Sequence, residues 1–179
     1  GVQTCALPIS GALPRLYAER MDEIGLDLSL VYPTVGLVYS TIPDDEVRVL
    51  ACRAVNRYMA EVHAGLGDRL LPVASIPMHT PEEALAEIDH AVLELGMRAA
   101  VLPSFVRRPL TNDPDGPFRV DAFGVDGEYD YDPVWARFVE LGVVPGVHTP
   151  TWGMQFRESA TNFVYTHIGQ FSAGCEVFC

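Results

Sequence analysis

The residues able to do chemistry in this 179-residue chain sit at the ends of four apolar runs. Those ends read Tyr32-Pro33-Thr34, Pro77-Met78-His79, Pro103-Ser104-Phe105 and His148-Thr149-Pro150-Thr151-Trp152. His148 is the most informative of them, because it closes an apolar run where the matching units carry Val31 or Leu102. A neutral imidazole binds divalent metals and accepts protons, and a strand end would fix its orientation. A histidine hydrogen-bonded to a loop carbonyl fits the same spacing, so position alone leaves both readings open. His79 immediately precedes a helix-capping threonine and reads as a neighbour of that cap. His63 and His90 fall on helical patterns and read as surface or packing residues, and His167, within TNFVYTHIGQF, as a core or interface histidine.

Other chemistries find less support. There is no Gly-x-Ser-x-Gly elbow and no cysteine at a strand end, so an activated Ser or Cys nucleophile is not indicated. Cys5, Cys52, Cys175 and Cys179 make neither a Cys-x-x-Cys pair nor a disulfide framework, which suits a reducing, cytoplasmic setting. The stretch from Thr111 to Asp132 holds seven acidic residues against one arginine and reads as a long solvated loop over the active face. Asn112, Asp113 and Asp115-Gly116 resemble part of a calcium loop. With Gly116 sixth, however, the first and twelfth positions are Thr111 and Ala122, which fail as ligands. Asp130 and Asp132 imitate a glycosidase carboxylate pair, but Asp132 is better explained as a helix cap. Arg107 and Arg108 could pair with a substrate carboxylate; a solvated basic turn is the simpler reading.

The charge balance narrows the partners. With 24 acidic and 12 basic residues the formal net charge is −12, which argues against binding nucleic acid or anionic membrane. No run of about 20 apolar residues is present to cross a bilayer. A small-molecule substrate is the expected partner, and a homo-oligomer is compatible with the sequence.

The elements that must position these residues repeat one grammar. Glu23–Thr34, Glu94–Ser104 and Glu140–Pro150 each run Glu, aliphatic, Gly, then a short apolar segment ending near Pro. Gly25, Gly96 and Gly142 are placed to end helices, and the apolar segments read as strands buried on both faces, as parallel strands are. A further strand, Leu70–Pro77, follows a helix ending near Gly65. Between the strands, Val47, Leu50, Ala51, Ala54, Val55, Tyr58 and Met59 fall on one helical face, as do Ala84, Leu85, Ile88, Ala91, Val92 and Leu95. Thr80-Pro81-Glu82-Glu83 combines an N-cap, a first-turn proline and a capping-box glutamate, and Asp132-Pro133 opens the next helix. Alternating helices and strands build a parallel α/β sheet with right-handed crossovers. The absence of Gly-x-Gly-x-x-Gly after a strand, and of a Gly-x-x-x-x-Gly-Lys-[Ser/Thr] loop, weakens a nucleotide-binding open sheet. Pattern alone leaves an open sheet and a (β/α)8 barrel both standing. In either, the chemistry belongs at the C-terminal strand ends.

The first nine residues, GVQTCALPI, have no period and no charge. They are similar to what a common sequencing-library adapter encodes when translated in frame. Residues 1–10 are therefore expected to be non-native, with a natural loop as the alternative, and residues 11–179 to form the domain.

Ser75–Leu102, Tyr131–Pro150, VYPTVGL (Val31–Leu37) and NFVYTHIGQF (Asn162–Phe171), taken in order, resemble the amidohydrolase-related proteins of the aminocarboxymuconate-semialdehyde decarboxylase type. The resemblance implies a (β/α)8 TIM barrel, present here as strands two to five with their helices. It also implies one divalent metal, zinc or manganese, held by a first-strand His-x-His or Glu-x-His, a His ending the fifth strand and a late Asp, with a further catalytic His. His148 matches the fifth-strand ligand. The first-strand pair is expected to precede this chain, and the late Asp and catalytic His to follow Cys179, so the chain alone is expected to be inactive. His167 matches no role in that set. The parent would be a decarboxylase or hydrolase acting on a small carboxylate, with Tyr32 and Trp152 as pocket wall and Ser104 and Thr149 offering hydroxyls. Two rivals stand beside it: a non-catalytic, association-prone partial domain, and a metal-free barrel enzyme.

Overall fold

The computed structural model describes residues 13–113, 116–124, 126–148, 161–162, 164–165 and 169. Residues 1–10, Thr149, Trp152 and His167 lie outside the described residues. Helix α1 (Pro14–Arg20) leads to strand β1 (Ser29–Val31), then helices α2 (Thr34–Tyr39) and α3 (Asp45–Val62), and strand β2 (Leu70–Ser75). Helix α4 (Pro81–Asp89) runs into a π turn (His90–Glu94) before strand β3 (Ala99–Pro103). Strands β4 (Val106–Pro109) and β5 (Phe118–Asp121), helix α5 (Asp132–Leu141) and strand β6 (Pro145–His148) complete the order. Strands β1, β2, β3 and β6 pair in parallel in that sequence, with helices crossing between them. This is a partial (β/α)8 barrel.

Local sequence explains the element ends. Gly25, Gly96 and Gly142 adopt φ of 71°, 69° and 65°, so each turn is made where a side chain would be strained. Asp44 caps α3 by accepting the Val47 N–H at 2.9 Å. Thr80 caps α4 by accepting that of Glu83 at 3.2 Å. The capping box does not close on Glu83, whose carboxylate is taken by Arg48 from α3 (Nη2–Oε1 2.5 Å, Nε–Oε2 3.0 Å). At α5 Asp132 is not the cap: Tyr131 holds that position without a side-chain cap bond, Asp132 is the first helical residue, and its N–H donates to Asp130 Oδ1 at 2.9 Å.

Alternation along the strands separates two faces. Ala74, Ile76, Ala100 and Leu102 pack outward against Ala84, Ile88 and Ala91 on the α4 side and Val134 and Phe138 of α5. Burying each large aliphatic there contributes about 1.5–3 kcal/mol. The face expected on α4 is the face observed. On α3 it is so only in part: Met59 is buried as expected, but Val47, Leu50 and Tyr58 are 50%, 59% and 53% exposed, while Arg48, Cys52 and Asn56 are buried. The reason is that Arg48 and Asn56 find polar partners inside, so a polar residue here is no marker of solvent. The expected long solvated loop is likewise partly ordered, since β4 and β5 form an antiparallel hairpin within it and just before it.

Candidate active face at the strand ends

Register assigns the inner residues. Ser75 lies beside Val101, Val101 beside Gly146, and Pro103 beside His148. Alternation therefore puts Ser75, Val101, Pro103, Gly146 and His148 on the face turned away from the helices. His148 is the last residue of β6, and its carbonyl accepts the Ser104 N–H at 3.1 Å. Ser104 is fully buried and its Oγ has no hydrogen-bond partner among the described residues. Tyr32, just past β1, reaches the same strand: a Cβ placed on Gly146 would lie 3.3 Å from its hydroxyl. Of the five residues expected at the site, the structure thus brings Tyr32, Ser104 and His148 to β6, and Thr149 and Trp152 fall outside the described residues.

Ser75 closes the floor. It is fully buried, and a Cβ on Gly36 of α2 would stand 2.6 Å from its Oγ, so α2 presses directly onto the end of β2. On the other side its backbone is held by Asn56, whose Nδ2 donates to the Ser75 carbonyl (2.9 Å) and whose Oδ1 accepts the Ser75 N–H (2.7 Å). Asn56 Nδ2 also donates to Glu87 (2.8 Å), and Arg53 meets the other Glu87 oxygen (3.0 Å). Burial pushes the Glu87 carboxyl up despite Asn56 and Arg53, which favour its ionised form.

A second polar network builds the rim. Arg108, on β4, meets Asp121 at 2.9 Å, the His79 carbonyl at 2.6 Å and the Tyr131 hydroxyl at 3.0 Å, and Tyr131 in turn donates to the Met78 carbonyl at 2.8 Å. Burial would raise the Asp121 carboxyl, but the N–H groups of Phe123 and Glu128 and the Arg108 guanidinium outweigh it and hold it below the usual range. Burial pushes the Tyr131 hydroxyl up to about 12, against the pull of Arg108. Arg108 is therefore neither a solvated turn residue nor open to a substrate carboxylate. Arg107 lies over the Phe118 ring, 4.4 Å from its centroid.

His79 keeps the role of a cap neighbour. Its Nδ1 is buried without a partner among the described residues, and burial, reinforced by Arg48 and Arg108, pushes its pKa down to about 3. Two guanidinium groups that keep an imidazole neutral also repel a metal cation, so His79 is unsuited as a ligand. His63 and His90 are buried packing residues, bonded through Nδ1 to the Met59 carbonyl and to Glu94.

His148 stands at the inner face, but no group of three or more His, Cys, Asp or Glu gathers among the described residues. These residues alone do not fit a metal centre; they offer it one ligand. A cleft of about 430 Å³ is lined by Phe123, Trp135, Pro145 and Val147. By alternation it opens on the opposite face of β6 from His148, so it is no part of this arrangement.

The residues that sequence reasoning missed are Arg48, Asn56, Glu83 and Glu87. A signal existed: Arg48, Cys52 and Asn56 recur every fourth residue, as do Glu83 and Glu87, giving two helical stripes of complementary polarity. No helix among the described residues is long and apolar enough to cross a membrane.

The protein family described as Amidohydrolase matches residues 9–172. The decarboxylase orsB of Emericella nidulans is 36% identical over 104 residues, covering 57% of this chain and 27% of that protein. The gamma-resorcylate decarboxylase of Rhizobium radiobacter is 29% identical over 128 residues, covering 70% of this chain and 35% of that protein. The crystal structure of a dihydroxybenzoic acid decarboxylase from Polaromonas sp. JS666, with bound manganese and the inhibitor 2-nitroresorcinol, superposes with a TM-score of 0.66 at 18% identity. It covers 92% of this chain and 48% of that one. The chain thus spans about half of that structure and about a third or less of the curated relatives.

Proposed function

The chain belongs to the amidohydrolase family, and from that premise we propose that the protein it represents is a metal-dependent carboxy-lyase acting on a small hydroxylated aromatic acid. The observation that carries the reading is His148 at the inner C-terminal end of β6, hydrogen-bonded through its carbonyl to Ser104 and two residues beyond the Gly146–Tyr32 contact. Support for the chemistry comes from relatives named as decarboxylases of resorcylate and dihydroxybenzoic acid. Within this reading His148 supplies one metal ligand, with zinc as the metal and manganese as the alternative, and the remaining ligands come from other parts of the protein. Tyr32 and Trp152 wall the substrate, and Ser104 and Thr149 offer it hydroxyls. Residues 11–179 are assigned to the barrel and residues 1–10 to a stretch outside it. The protein is placed in the cytoplasm.

The test is metal content and CO2 release by the full-length protein supplied with 2,6-dihydroxybenzoate. His148→Ala should lose both. Undiminished metal by elemental analysis, or turnover insensitive to chelator, would sink the assignment.

A further inference from the structure

Tyr32 belongs to one end of the strand order β1-β2-β3-β6, yet its hydroxyl meets the strand at the other end. Three inter-strand spacings on a flat sheet come to about 14 Å, longer than a tyrosine reaches. The contact therefore needs a sheet curled towards closure, and a side chain at position 146 would crowd it, since a Cβ there would stand 3.3 Å from the hydroxyl. Tyr32 does not line one side of the concave face; it spans it.

The level at which its hydroxyl arrives is defined by register. Ser75, Val101 and Gly146 form one rung across three strands, and Pro103 with His148 forms the next inner rung on β3 and β6. On the lower rung Ser75 and Val101 are 0% and 3% exposed, whereas Tyr32 is 45% exposed. The floor is dry, and the tyrosine above it is only half-buried. Gly146 and His148 lie two residues apart on the same face, about 7 Å along the strand. One aromatic ring with its substituents is of that size.

We infer that Tyr32 is a specificity-determining residue of this face. Its hydroxyl hydrogen-bonds a ring hydroxyl of an aromatic acid whose carboxyl end lies towards His148, and Gly146 is the residue that leaves room for it. The inference rests on the proposed aromatic-acid function. A tyrosine acting only as an apolar wall would not distinguish an acid with ring hydroxyls from one without; a hydroxyl placed to bond one would.

The experiment is equilibrium binding of 2,6-dihydroxybenzoate and of benzoate to the full-length protein by calorimetry, with CO2 release from the former followed separately. The wild type should prefer the hydroxylated acid. Tyr32→Phe should reduce that preference about tenfold, the worth of one hydrogen bond, while benzoate affinity stays within about twofold. Gly146→Ala should move the preference the same way, because the added methyl displaces the hydroxyl without removing it. An unaltered preference in Tyr32→Phe overturns the inference, and wild-type CO2 release then leaves the proposed function standing. A wild type that binds neither acid overturns both.

Discussion

Arg108 and Asp121 face each other inside the hairpin that follows β3, Nε to Oδ2 at 2.9 Å, with side chains 11% and 0% exposed. The pair does more than close the hairpin. Through the His79 carbonyl and Tyr131, the same guanidinium fastens the excursion after β3 to the loop after β2. Removing one member of a buried pair leaves the other charge uncompensated, so Asp121→Ala should cost about 3–5 kcal/mol in urea unfolding. Because the Asp121 pKa is depressed on folding, its contribution is fully present above the ordinary value of 3.8 and is lost as pH falls below it. Asp121→Asn should correspondingly flatten the acid limb of the stability profile.

Arg48 offers a contrast within one side chain. It is wholly buried and serves Glu83, the Ile42 carbonyl and Asp45, but Asp45 itself is 84% exposed. Arg48→Ala should therefore be severe, about 3–5 kcal/mol. Asp45→Ala should fall within about 1 kcal/mol, as exposed ion pairs do. Equal losses in denaturant midpoints would contradict the assignment of the stabilisation to the inner partner.

The His79 imidazole should stay neutral through the physiological range. Burial and the two neighbouring guanidiniums bring its pKa to about 3 from 6.5. Between those values the unfolded chain binds a proton that the folded one refuses, so stability falls as pH drops below 6.5. Replacement by Gln should reduce the pH slope of stability in that window by about one proton. The His79 ring signals should not titrate between pH 5 and 8 by NMR.

Cys52 should be inert. It is fully buried on α3, and burial, helped by Glu87, pushes its thiol up to about 12. Peptide mapping after alkylation should find Cys52 unmodified in the native protein and modified in denaturant. Fast native labelling would mean that α3 opens locally.

What could be read from sequence was local. A helix-ending glycine followed by a short apolar run places each parallel strand within a few residues, and the inward stripe of α4 follows from its aliphatic spacing. His148 at a strand end belongs to the same class of inference. The inner stripe of α3 was visible only as a spacing of four, because Arg48 and Asn56 are made tolerable in the core by Glu83, Ser75 and Glu87, which arrive from later segments. The hairpin was hidden for a similar reason: its strands are short and carry Arg107, Arg108 and Arg119, whose partners Phe118, Asp121 and Glu128 become neighbours only once the hairpin has formed. Tyr32 announced itself as pocket wall, but how far it crosses depends on the missing side chain of a glycine on another strand.

Strand β1 covers only Leu70–Pro72 of β2, and above that level Ser75 points its N–H and carbonyl towards a strand that is not there. Asn56 answers both with one carboxamide. That side chain acts as a one-residue strand, an impersonation of the peptide group it replaces. The polypeptide is thereby released from the ladder at Tyr32 and can turn across the mouth into α2 while the sheet edge stays sealed. Changes between Tyr32 and Tyr39 that spare Gly36, where α2 presses on Ser75, can then recut the entrance without unzipping or re-registering the strands beneath it.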